Sequence, residues 1–161
     1  MFRFGLGIAL LILILDQASK WWILTDVMNP RRILEITPFL NIVLVWNRGV
    51  SFGLFNTGSA LVPWILTAVS LAIAIGLGIW LRRVDQRLVA AGLGLIMGGA
   101  LGNVVDRIRF GAVIDFVDVH VSGYHWPAFN VADSAIVIGV GLLIFESLFS
   151  RADSPKQTRH E

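Results

Sequence analysis

Four long apolar segments dominate the chain, at residues 4–24, 61–81, 88–105 and 132–149. Each approaches the ~20 residues that an α-helix needs to cross ~30 Å of hydrocarbon, so the pattern predicts four transmembrane helices. The third is dense in small residues, Gly92, Gly94, Gly98, Gly99 and Gly102, which suits close helix packing where lipid supplies no hydrophobic drive between helices. The connections 25–60 and 106–131 are long. They contain two runs, 39–46 and 112–119, in which β-branched and aromatic side chains dominate, and these predict short strands. The expected fold class is an α-helical integral membrane protein, with four transmembrane helices and a small extracytoplasmic β-sheet at the membrane surface. Residues 1–149 would form a single membrane domain and 150–161 a polar cytoplasmic tail.

Composition sharpens this reading. Of 161 residues, 56% are hydrophobic and 15% charged, more apolar than a water-soluble core of this size can hide. The net charge of +2 comes from basic residues scattered through helices and loops, not from a continuous phosphate-binding stripe, so nucleic acid is not an expected partner. Cysteine is absent, which excludes disulfides, thiolate ligands and a cysteine nucleophile. Arg3 followed by an apolar run resembles a cleaved signal sequence, but no small-residue cleavage site follows, and the segment is read as retained. Arg3, Arg82, Arg83, Arg87, Arg151, Lys156 and Arg159 fall on one side of the four spans, against Arg31, Arg32, Arg48, Arg107 and Arg109 on the other. This bias places both termini in the cytoplasm.

With four crossings, the end of helix 1, the start of helix 2, the end of helix 3 and the start of helix 4 share the outer face. Asp16, Lys20, Asn47, Asn103, Asp106, Arg107, Asp115, Asn130 and Asp133 gather there from separate stretches. Such groups cost ~2.5–3.5 kcal/mol each in hydrocarbon, and their concentration marks a functional site. Asp16 and Lys20, four apart on one helix face, read as an ion pair at the interface or as a substrate contact. The Asn47-Arg48-Gly49-Val50-Ser51-Phe52-Gly53 stretch reads as a tight turn or as part of the site. Asp106 is expected to be a structural anion held by Arg107 and Arg109. Asp115 and Asp118 are three apart on a strand and should face opposite ways. Asp133, at the start of helix 4, reads as an N-cap, with a catalytic role open because Asp115 approaches the same face.

The ordered set Asp16-x-x-x-Lys20, Asn47-x-Gly49, Gly98-Gly99-Ala100-Leu101-Gly102-Asn103-Val104-Val105-Asp106-Arg107, Val113-Ile114-Asp115-Phe116 and Phe129-Asn130-Val131-Ala132-Asp133 resembles the motifs of the bacterial lipoprotein signal peptidases, signal peptidase II. Val50-Ser51 stands where that family often carries two small residues. The resemblance implies an aspartic peptidase of the bacterial cytoplasmic (inner) membrane, facing outward, that cuts prolipoproteins before a diacylglyceryl-modified cysteine. Asp115 and Asp133 would be its catalytic dyad. Asp16, Lys20, Asn47, Gly99, Asn103, Asp106, Arg107 and Asn130 would support the site or touch substrate. It further implies no metal and no cofactor, with lipid-modified prolipoproteins and membrane lipid as the partners of a monomer.

Three rival readings use other residues. A serine peptidase would pair Ser51 or Ser134 with His120 or His125, but no nucleophile motif accompanies them. A metallopeptidase lacks the His-Glu-x-x-His pattern. An ion transporter would spread ionisable groups through the membrane depth, whereas here they collect at one face.

Overall fold

The computed structural model describes residues 1–49 and 61–150. Val50, Ser51, Phe52 and Gly53 of the turn after the first predicted strand, and the tail 151–161, therefore lie outside the described residues. The helices are α1 (Phe2–Trp22), α2 (Val62–Leu81), α3 (Arg87–Phe110) and α4 (Val131–Ser150). All four are long and apolar enough to cross a membrane. A wider helical turn, Ile23–Val27, extends α1. The strands are β1 (Leu34–Thr37), β2 (Leu40–Asn47), β3 (Val113–Val121) and β4 (Tyr124–His125). They form one antiparallel sheet in the order β1-β2-β3-β4.

Helix α3 is the centre of the bundle: 72% of its most apolar window is buried, against 17% for each other span. Its glycines explain how. Gly94, Gly98 and Gly102 recur every fourth residue, so they line one helical face, and an added Cβ at each would strike α1 at the Gly5 carbonyl, the Ala9 carbonyl and the Asp16 carboxylate, respectively. A second face meets α4, where a Cβ on Gly92 would lie 2.9 Å from the Gly139 carbonyl and one on Gly99 would strike the Ala132 carbonyl. Backbones approach this closely only where side chains are missing, which is how membrane helices gain packing without a hydrophobic drive. The outer sides of the bundle carry large exposed apolar groups, among them Trp21 and Trp22 at the end of α1, each 60% exposed.

Both predicted strands are present, each displaced by a residue or two. Helix α3 runs five residues past the expected end at Val105, since hydropathy registers where apolar sequence stops and not where helical hydrogen bonding stops. Arg107 and Arg109 occupy its last turn, favourable for cations, and Gly111 terminates it with φ 69°. The sheet packs on the end of α1 through Ile23, Met28, Ile114 and Phe116. It therefore hangs β3, and Asp115 with it, directly over the ends of α1, α3 and α4.

Candidate active site

Three buried ionic groups anchor the site. Lys20 Nζ lies 2.8 Å from Asp16 Oδ2 and 2.7 Å from Asp106 Oδ2, and Lys20, Asp16 and Asp106 are 2%, 0% and 1% exposed. The carboxylates spend their remaining acceptor capacity on other elements. Asp16 Oδ1 takes the Ala132 N–H at 3.0 Å, and Asp106 Oδ2 takes the Ile114 N–H at 3.1 Å. The cluster thus ties α1 to α3, α4 and β3. The expected Arg107–Asp106 pairing is not what forms: the cation facing Asp106 is Lys20. Among the described residues Arg107 makes no ion pair. Its Nη1 reaches the Asn103 carbonyl of its own helix at 3.5 Å, and the charges of Asp133, Asp106 and Asp115 act on it.

Two asparagines carry the order of this cluster to a second pair of carboxyls. Lys20 also donates to Asn103 Oδ1 at 3.1 Å. An ammonium group can only donate, so the amide oxygen of Asn103 must face it and its NH2 must face away. That NH2 donates to Asp133 Oδ1 at 2.9 Å. Asn130, fully buried, donates to Asp115 Oδ1 at 2.7 Å and to the Ile114 carbonyl at 3.2 Å. Asn47 reaches over from β2 to Asp115 Oδ2 at 2.9 Å, and its own Oδ1 accepts the Gly49 N–H at 2.8 Å, which closes the turn after β2.

Asp133 taken alone reads as the N-cap of α4, but it is not the cap. Asn130 is: its Oδ1 accepts the Asp133 N–H at 2.9 Å, while Asp133 Oδ2 accepts the Asn130 N–H at 3.2 Å. This reciprocal capping box fixes Asp133 at the start of α4 and leaves Asn130 free to aim its NH2 at Asp115. Gly99 acts from one helical turn before Asn103: without a Cβ it admits the Ala132 carbonyl, so the start of α4 can reach Asn103. The structure therefore brings Asp16, Lys20, Asn47, Asn103, Asp106, Asp115, Asn130 and Asp133 into one connected network, with Gly99 and Arg107 at its border.

Asp118 stands apart, as strand alternation required. It accepts from Asn41 at 3.0 Å and faces His125 Nδ1 at 2.9 Å, and His125 stacks on His120. Burial pushes its carboxyl upward, but the bonds from His125 and Asn41 outweigh that and hold it below the usual carboxylate range. Ser134 donates to the Asn130 carbonyl at 3.0 Å, a helix-start contact that leaves it unpaired with either histidine; Ser51 lies outside the described residues. Gln17 was not anticipated. It donates to Asp106 Oδ1 at 2.9 Å and to Asp16 and the Gly102 carbonyl at 3.2 Å each. A lone amide in an apolar helix, adjacent to Asp16, was the available signal.

Burial raises the carboxyl of Asp115 to about 6, with the charge of Asp133 adding to the rise and the amides of Asn47 and Asn130 opposing it. Because its folded value lies above the ordinary 3.8, proton binding favours the folded state. Stability is lost as pH climbs from about 4 through about 6, by about 3 kcal/mol in full. Asp115→Asn removes that titration. The stability of the variant relative to the parent is expected to rise between pH 4 and pH 7 and then level off, as read from melting curves in detergent. A difference that stays constant across this range would contradict the shift. A cleft of about 440 Å³ opens on Asp115 between Val45, Trp46, Asn47 and Arg48 on one side and Pro127 and Ala128 on the other.

Comparison with known proteins identifies the family. The family model for signal peptidase (SPase) II matches residues 8–149. The lipoprotein signal peptidase of Methylorubrum extorquens (strain PA1) is 54% identical over 149 residues, covering 91% of this chain and 86% of that protein. That of Nitrobacter hamburgensis is 45% identical over 160 residues, covering 96% of each. Among solved structures, a bacterial membrane enzyme determined by the in meso method at 2.3 Å resolution superposes with a TM-score of 0.76 at 30% identity, covering 98% of this chain and 94% of that one.

Proposed function

This chain belongs to the signal peptidase II family of membrane peptidases, and we propose that it removes signal peptides from prolipoproteins by cutting before a diacylglyceryl-modified cysteine, with Asp115 and Asp133 as the catalytic dyad. The observation that carries the dyad is that two carboxyls from different elements are each oriented by an amide of the same buried network, Asn103 on Asp133 and Asn130 on Asp115. Only one carboxyl of such a pair ionises readily. Both Asp133 oxygens accept hydrogen bonds, from the Asn103 amide and from the Asn130 N–H, and we assign it as the base. Asp115, whose carboxyl is raised to about 6, is the acid.

In this mechanism Asp133 takes a proton from water as the water oxygen bonds to the scissile carbonyl carbon, and Asp115 gives its proton to the carbonyl oxygen. The tetrahedral adduct then collapses. The C–N bond breaks, Asp133 returns its proton to the departing amine, and Asp115 recovers one from the adduct hydroxyl. Atoms balance with water as the sole co-reactant, so no metal or organic cofactor is invoked. Asn47 and Asn130 hold Asp115 in place, while Lys20 acts at a distance by fixing which way Asn103 points.

The enzyme would work as a monomer in the bacterial inner membrane, with both termini cytoplasmic and the dyad at the outer face beside the lipid and apolar helix of its substrate. The arginine bias supports this orientation. Because the chain has no cysteine, single cysteines placed at Arg3 and Phe39 can report it: an impermeant thiol reagent applied to intact spheroplasts should label the second and not the first. The function itself is tested by incubating purified protein with a lipidated prolipoprotein and reading the product masses. A single cut immediately before the modified cysteine is expected; no cut, or a cut elsewhere, would overturn the reading.

A further inference from the structure

The cleft at Asp115 does not end at the dyad. Val45 and Ala128 line it and also line a second cleft of about 620 Å³, whose walls include Arg31, Arg32 and Trp126. The two are neighbouring parts of one groove along the β2 side of the sheet. Arg31 is placed by a 2.7 Å hydrogen bond from Nη2 to the Leu44 carbonyl. Leu44 immediately precedes Val45, whose Cα is the register partner of Asp115. One step along a strand is about 3.4 Å and one step across a sheet about 4.8 Å, so the Arg31 guanidinium is held only a few extended residues from the dyad.

Charge decides what this second cleft accepts. Arg31 and Arg32 are exposed, and among the described residues no carboxylate lies within ion-pair distance of either. The one acidic residue in the lining, Asp118, is already engaged by Asn41 and His125. The cleft therefore sets two guanidinium charges against the one carboxylate of Asp118, a net positive lining over an apolar floor that includes Ile33 and Val45. Direction follows from the membrane. The apolar signal helix upstream of the cut stays with the bundle, whereas the chain downstream of it leaves the bilayer and must pass over the sheet.

We propose that the Arg31–Arg32 cleft is a specificity subsite that selects a carboxylate side chain, aspartate or glutamate, within the first few residues on the C-terminal side of the cleaved bond. The inference rests on the peptidase reading given above and adds to it a sequence preference. It makes no demand on the dyad: Arg31 and Arg32 contribute Coulomb attraction and hydrogen bonds to substrate binding, and the gain appears in KM more than in kcat.

The test uses lipidated prolipoproteins that are identical except for acidic, amide or lysine side chains at the second and third positions after the bond, assayed with the purified full-length protein in neutral-lipid vesicles. The parent should cleave the acidic substrate with kcat/KM roughly twofold to fivefold above the amide one, as expected for exposed pairs, and the ratio should fall at high salt. In Arg32→Gln the ratio should move toward one. In Arg32→Glu it should invert in favour of lysine, a gain that poor folding cannot imitate. Equal kcat/KM for all three substrates in the parent would overturn the subsite while leaving the peptidase reading intact, whereas no cleavage of any substrate would overturn the peptidase reading itself. A requirement for anionic phospholipid that is weakened by Arg32→Gln equally for every substrate would assign the cleft to a lipid headgroup instead, and the proposal would fall.

Discussion

Asp115→Asn and Asp133→Asn are each expected to lower kcat for a lipidated prolipoprotein by roughly ten-thousand-fold or more, the scale seen when one member of a catalytic unit is removed. Each substitution keeps the size and nearly the shape of the side chain. What it removes is the ability to exchange a proton: an amide at 115 cannot protonate the carbonyl oxygen, and an amide at 133 cannot take a proton from water. Substrate binding should survive, because the helices and the clefts around the dyad are untouched. The double variant should be scarcely slower than either single one, since the dyad fails as a unit. Asp118→Asn is the control. Asp118 lies on the same strand but bonds to Asn41 and His125 and lines only the second cleft, so the variant's kcat should stay within a few-fold of the parent's, whatever happens to its KM. Near-parental turnover by either dyad variant, measured on protein that melts normally, would remove Asp115 and Asp133 from the catalytic role. Loss of kcat confined to Asp118→Asn would mean that Asp118, and not Asp115, supplies the reacting carboxyl of β3.

The membrane spans were legible because bilayer thickness converts directly into a length of apolar sequence, and the gathering of polar residues followed from crossing parity alone. The separation of Asp115 from Asp118 was legible as well, since a strand cannot send residues three apart to the same face. Partner choice was not. Arg107 is adjacent to Asp106 in sequence, yet Lys20, 86 positions earlier, takes that carboxylate. Adjacent residues on a helix point about 100° apart, and it is the α1–α3 packing at Gly94, Gly98 and Gly102 that brings Lys20 opposite Asp106. The N-cap of α4 was missed for a related reason. Both Asn130 and Asp133 suit a cap, and the Asn130 side chain that bonds Asp133 N–H is the same one that reaches Asp115 on β3. A sequence read one element at a time could not see that the cap and the dyad are joined. Strands β1 and β4 escaped notice because a four-residue and a two-residue strand carry too short an alternation to register. Only pairing with β2 and β3 makes them strands.

Lys20→Met is expected to be the most destabilising single change in the network. Lys20 is the cation between two carboxylates, Asp16 and Asp106, that are both essentially sealed from solvent. Methionine fills the space of the stem but leaves both acids without a counter-charge, and stranding a buried charge typically costs ~3–5 kcal/mol. For a chain of this size that corresponds to a fall in melting temperature of roughly 10 °C. Asp106→Asn removes an acid and keeps Lys20 paired with Asp16, so it should cost distinctly less, and combining it with Lys20→Met should recover part of the loss. Such recovery is a signature of uncompensated charge that a simple packing defect would not give. The same variants should also separate stability from chemistry. Without Lys20 only the longer 3.3 Å bond from the Asn130 NH2 holds the Asn103 oxygen inward, the amide turns over more readily, and Asp133 then loses the donor at 2.9 Å. Folded Lys20→Met should therefore show a lowered kcat even well below its melting temperature, whereas folded Asp106→Asn, which keeps the Lys20 bond to Asn103, should not. The decisive measurements are melting curves in detergent for the parent, both single variants and the double variant, with turnover assayed at a temperature where all are folded. Melting of Lys20→Met within a degree or two of the parent would mean that the buried carboxylates find another way to discharge, and the ionic cluster would no longer account for how α1, α3, α4 and β3 are held together.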